Sequence, residues 1–138
     1  MAAHLTRPYR ARGRYGDGVL HAHAPDRPAL RGWSHAVAAV VAAAIGGVLI
    51  GLAPGAVGRT TMLVYTAGLC AMFGVSALYH RVPWTGAAYR RMRRLDHSTI
   101  YLAIAGTYTP VAVLALDGWS RVAVLALVWA GSLVGITL

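Results

Sequence analysis

Four apolar stretches, residues 34–53, 60–80, 96–116 and 120–138, leave this chain little choice of fold. Each holds about 19–21 residues, and a helix rising 1.5 Å per residue then covers the roughly 30 Å hydrocarbon core of a bilayer. Within lipid every backbone N–H and C=O must be paired inside its own segment, so stretches of this kind become helices. The expected fold is all-α, a multi-pass membrane helix bundle with four transmembrane helices. Composition agrees: 57% of the residues are hydrophobic and only 12% are charged, about half the charge of an average soluble domain. Thirty-three mostly polar residues precede the first stretch, which is also too long for the apolar core of a cleavable signal peptide.

The charge that remains is nearly all of one sign. Thirteen arginines stand against four aspartates, with no lysine or glutamate, for a net +9. A nucleic-acid surface would gather them on one soluble face, whereas here they fall between apolar stretches. They are therefore read as topology signals that meet membrane lipid, with no nucleic-acid partner. Residues 1–33 hold Arg7, Arg10, Arg12, Arg14, Arg27 and Arg31, and the connection after the second stretch holds Arg81, Arg90, Arg91, Arg93 and Arg94. The other two connections carry Arg59 and Arg121 alone. Eleven against two puts the N-terminus and the second connection in the cytoplasm and the protein in the cell (inner) membrane. Residues 1–33 form a basic tail, with residues 34–138 as the transmembrane domain. Up to about Pro28 the tail lacks any apolar period and reads as disordered, so His21 and His23 are not taken as a metal pair. In residues 86–95, Ala88, Met92 and Leu95 share a helical face, which suggests a short helix lying on the membrane surface as a positive anchor. Cys70, the single cysteine, excludes an intrachain disulfide.

Topology then groups the polar residues that are costly at membrane depth, where an aspartate at a helix centre costs roughly 2.5–3.5 kcal/mol on insertion scales. Ser76 and His80 close the second stretch, Asp96 and His97 open the third, and His35 opens the first, so all five share one rim. Ser76 and His80 are four residues apart and lie on one helical face. A neutral imidazole can ligate a metal while a hydroxyl or carboxylate steadies its surroundings. Ordinary structural roles compete at each position. A histidine at a helix C-terminus is favoured by the dipole, and an aspartate opening a helix serves as an N-cap for the Ser98 and Thr99 amides. Co-location at one rim tilts the reading toward a site, with His35 and His97 as interfacial residues rather than ligands.

The order of motifs resembles a known family. Arg31-Gly32-Trp33-Ser34-His35, Ser76-x-x-x-His80, Arg94-Leu95-Asp96-His97 and Ala105-Gly106-Thr107-Tyr108-Thr109-Pro110 follow one another as in bacterial haemolysin III proteins, within the progestin and adipoQ receptor superfamily. The resemblance covers about residues 28–138, and the combination is far more specific than any one motif. It implies a seven-helix membrane protein with a zinc site near the cytoplasmic face. His80 matches the direct zinc ligand of the second helix, Asp96 the carboxylate that holds the zinc-bound water, and Ser76 the serine beside the site. The implied activity is zinc-assisted hydrolysis of a lipid amide, in which zinc lowers the pKa of its water and polarises the carbonyl. The alternative is a non-catalytic membrane sensor or cytolysin-like protein with a structural zinc. No polar stripe of the sort that lines a pore runs along the stretches.

Two departures limit the implied site. The family's other two zinc ligands come from a His-x-x-x-His motif in a seventh helix, and this chain supplies four. Many members also carry an acidic residue just before the first span, whereas residues 27–34 hold none. The apolar end at Leu138 reads as that of a truncated N-terminal portion. On this reading the chain alone is inactive, because a catalytic zinc takes three protein ligands plus water. Pro110 has no amide proton to offer the Gly106 carbonyl, which predicts a bend in the third span with Thr107 and Thr109 helping to satisfy the freed groups.

Overall fold

The computed structural model describes residues 29–137, and the readings made for residues 1–28, His21 and His23 among them, lie outside the described residues. Four helices account for nearly all of it: α1 Ala29–Leu52, α2 Gly55–Arg81, α3 Gly86–Ala115 and α4 Gly118–Thr137. All four are long and apolar enough to cross a membrane. Each connection is short and ends on a glycine at positive φ, namely Gly55 (φ 64), Gly86 (φ 54) and Gly118 (φ 55). That left-handed conformation costs a residue with a Cβ about 1–2 kcal/mol and costs glycine almost nothing, so the chain can reverse within two to four residues.

Short reversals force consecutive helices to be antiparallel neighbours. α1 packs on α2, α2 on α3 and α3 on α4, and among the described residues no other pair of helices touches. The bundle is therefore an open row. Its interior is lined by small residues: among the described residues Ala53, Ala77, Ala103, Ala105 and Ala112 are the buried apolar side chains, and no large side chain is fully enclosed. Large apolar groups point outward instead, as with Leu52 (78% exposed) and Leu127 (75% exposed). Lipid tails are as apolar as leucine, so large side chains gain nothing by facing inward. Close backbone contact through small residues is what holds such helices together.

The tightest contact joins α2 to α3. A Cβ on Gly68 would sit 3.1 Å from the Leu102 carbonyl oxygen and 3.3 Å from Ala103 Cα, and one on Gly106 would sit 3.1 Å from the Val64 carbonyl oxygen. Those neighbours are backbone and have little room to yield. Further along, Trp129 Nε1 of α4 donates to Thr109 Oγ1 of α3 at 3.1 Å, and Ser132 Oγ donates to the Tyr101 carbonyl at 3.0 Å.

Two sequence expectations change. Residues 86–95 are not a separate surface helix: they are the first turns of α3, which runs for 30 residues. At 1.5 Å per residue that is about 45 Å, some 15 Å more than the hydrocarbon core requires. The apolar stretch and the helix thus begin about ten residues apart, and hydropathy reports only the first. Likewise α1 starts at Ala29, five residues before the apolar stretch that marks it in the sequence. Helix α3 is unbroken through buried Pro110. Thr107 and Thr109 donate to the carbonyls of Ala103 (2.8 Å) and Ala105 (2.7 Å), one turn back, so neither hydroxyl takes up the Gly106 carbonyl.

Candidate polar site at the arginine-rich end

Phe73, Ser76, Ala77 and His80 recur on α2 at spacings of three, four and seven residues, which puts them on one face of its last two turns. His35, in the second turn of α1, lies over that face. Its ring centroid is 6.0 Å from that of Phe73 and 6.1 Å from that of His80, both tilted, with buried Ser76 and Ala77 in the intervening turn. The Tyr79 ring packs on His80 at 4.9 Å. Its hydroxyl reaches the Tyr89 hydroxyl of α3 at 3.1 Å, tying the two helix ends together. Trp84 closes the connection by donating Nε1 to the Leu78 carbonyl at 3.1 Å, and Arg81 stacks on Trp33 of α1 with 4.2 Å between guanidinium carbon and ring centroid.

Asp96 reaches this level from the other side of α2. Asp96, Thr99, Ala103, Gly106 and Pro110 form one stripe along α3 at alternating spacings of three and four, and the last four are buried. Gly68 fixes the register, since it abuts Leu102 and Ala103. Eight residues on from Gly68 is Ser76, and eight residues back from Ala103 is Leu95, next to Asp96. The helices run antiparallel, so Ser76 and Asp96 are level, one turn of α2 from His80.

Asp96 is not an N-cap. It lies well inside α3, and its carbonyl accepts from Thr99 Oγ1 at 3.0 Å. Among the described residues its carboxylate makes no hydrogen bond or ion pair; the ion pair that does form, Arg121 with Asp117 at 3.0 Å, belongs to the opposite end. Of the five buried polar side chains among the described residues, Ser76 included, Thr61, Thr66, Thr99 and Ser132 each donate to a backbone carbonyl, and no enclosed side-chain nitrogen or oxygen lacks a partner. The half-buried Asp96 carboxylate is therefore the group that stands out at this level.

His97 parts from this group. It shares the level but turns away from α2, is exposed, and sets Nδ1 2.8 Å from the Arg93 carbonyl on the α4 side of α3. Of the five rim residues, the structure brings together His35, Ser76 and His80, adds Asp96 at the same level, and leaves out His97. The aromatic packing was legible in part, because Phe73 and His80 are seven residues apart. That His35 covers both was not, since it depends on the angle between α1 and α2.

These side chains do not complete a zinc site. Among the described residues, no three His, Cys, Asp or Glu side chains converge as a metal requires. One imidazole with a nearby carboxylate falls short of the three protein ligands of a catalytic zinc, and so does a pair of imidazoles.

Antiparallel apolar helices packed through small residues, with large apolar side chains turned outward, define a multi-pass membrane protein. The family model described as Haemolysin-III related matches residues 23–138, and the chain belongs to the haemolysin III family. It is similar to the protein named "Hemolysin-3" of Bacillus cereus, 50% identical over 42 residues. That alignment takes in 30% of this chain and 19% of the relative, so it spans about a fifth of the relative's length. No solved structure matches.

Proposed function

We propose that this chain supplies one side of a zinc-dependent hydrolytic centre in a haemolysin III-type protein of the cell membrane, with its N-terminus cytoplasmic and a lipid amide as substrate. The observation that carries the reading is the half-buried Asp96 carboxylate, without a protein partner among the described residues and level with Ser76, one turn of α2 from His80. Holding a carboxylate at the edge of a membrane is costly unless a ligand or water completes it. In this reading His80 presents an imidazole nitrogen as a ligand, Asp96 accepts a hydrogen bond from the attacking water and can take its proton, and Ser76 donates to the same water or to the substrate carbonyl. The remaining metal ligands must come from beyond the described residues, and no step is assigned to them. Among the described residues, Arg31, Arg81, Arg90, Arg91, Arg93 and Arg94 belong to helix turns at one end of the bundle and Arg59 and Arg121 to turns at the other, which supports the orientation.

The test is a protein in which this chain is followed by further family spans, purified and assayed for zinc content and for hydrolysis of a fluorescent lipid amide. One zinc per protein is expected, with metal lost on His80→Ala. Asp96→Ala should retain most of the metal but lower the hydrolysis rate by about 10–100-fold, the usual range for a carboxylate acting beside a metal. Stoichiometric zinc that survives His80→Ala would refute the ligand assignment. Bound zinc with no amide hydrolysis would favour the non-catalytic sensor.

A further inference from the structure

On the far side of α3 from His80 lies a groove of about 690 Å³, between residues 89–101 of α3 and the last turn of α4. Its size falls in the roughly 300–1,000 Å³ range of small-ligand sites. Arg90, Arg93, Arg94 and His97 line its α3 wall. These positions follow the spacing i, i+3, i+4 and i+7, so a single helical face presents all four. Arg91 points out of it. Tyr101 forms the floor: Gly135 of α4, with no side chain, lets the Tyr101 ring lie against that helix, and Ser132 donates to the Tyr101 carbonyl at 3.0 Å. The groove is thus a built contact between two helices.

Among the described residues no carboxylate lines it and none of its arginines is in an ion pair. Like charges three and four residues apart destabilise a helix, so this face repels itself until an anion joins it. His97 Nδ1 lies 2.8 Å from the Arg93 carbonyl, which holds the ring against this face of α3. Depth narrows the choice of anion. Arg90, Arg93 and Arg94 precede the apolar stretch that begins at residue 96, while Tyr101 and Ile136 at the other end of the groove lie within apolar stretches. A ligand filling it would have an anionic head among the arginines and an apolar body against the helices.

We infer that the groove lined by Arg90, Arg93, Arg94 and His97 binds the phosphodiester headgroup of an anionic phospholipid, separately from the His80 site. A guanidinium holds two phosphate oxygens at once, and Ser98 and Tyr89 at the rim supply neutral donors. A free phosphate offers the same charge and lacks the apolar body.

The test is native mass spectrometry of the 138-residue chain in detergent, titrated with phosphatidylglycerol or phosphatidylcholine. One phosphatidylglycerol should bind well ahead of phosphatidylcholine. The double variant Arg90→Gln/Arg94→Gln should bind it roughly thirtyfold more weakly, about fivefold for each arginine. Arg81→Gln/Arg91→Gln removes the same charge from the same connection outside the groove and should change binding less than threefold, a criterion set from the same scale. Arg90→Lys/Arg94→Lys should recover most of the affinity, which separates charge from misfolding. Equal losses in the two glutamine pairs would overturn the inference, because bulk charge would then account for binding. So would equal uptake of the two lipids, or displacement of phosphatidylglycerol by millimolar inorganic phosphate.

Discussion

Replacing Gly68 with valine tests whether the α2–α3 contact sets the geometry of the site. A Cβ alone would already meet two α3 backbone atoms at 3.1 and 3.3 Å, a few tenths of an ångström closer than ordinary contact. Valine adds two γ-carbons about 1.5 Å further out on a side chain that is stiff in a helix, so the helices must part by more than an ångström. Overpacking of this kind costs about 1–3 kcal/mol. Valine's better helix propensity offsets only about 0.3 kcal/mol of that. Gly74 provides the control on the same helix, since a Cβ there meets nothing within 4 Å. Gly74→Val should be neutral or slightly stabilising. The assay is reversible unfolding in mixed micelles of rising sodium dodecyl sulfate fraction, followed by helical circular dichroism. Gly68→Val should be about 1–3 kcal/mol less stable than Gly74→Val. Equal stabilities would refute the close approach, and with it the register that sets Ser76 level with Asp96.

Other outcomes follow from the same structure. A reporter active only in the cytoplasm should work when fused within residues 86–89 and fail within residues 54–58, and the reverse would invert the proposed orientation. Tyr79→Phe and Tyr89→Phe should each destabilise the protein, Tyr89→Phe by about 0.5–1.5 kcal/mol, and the double variant should cost less than the sum of the two, because they share one hydroxyl–hydroxyl bond; full additivity in the double-mutant cycle would rule that bond out. The chain as it stands should take up far less than one zinc per protein on metal analysis, since no three ligands converge among its described residues; tight stoichiometric zinc would overturn this.

The polar site divides along a physical line. His80 and Ser76 on one face of a helix end could be read from a spacing of four, because helical periodicity is local. Asp96 could be placed at the same level from span lengths and arginine counts. That it belongs to the stripe with Thr99 and Ala103, and that His97 one residue on turns toward α4, depends on which face of α3 meets α2. Neighbouring residues on a helix point about 100° apart, so adjacent polar residues part company as soon as the packing face is chosen. Glycines at 68 and 106 choose it, and their effect is felt only when the second helix arrives.

From sequence alone, the number of spans, their helical state and the family motifs were determined, because lipid demands internally paired backbone and hydropathy records its thickness. The sequence could not show that residues 86–95 are the first turns of α3. A helix can outlast its apolar stretch wherever nothing breaks it, and hydropathy is blind to that part. Nor could it reveal the arginine-lined groove. Three arginines on one face look the same whether they face water or a second helix, and only the packing of Tyr101 against Gly135 makes that face one wall of a cavity.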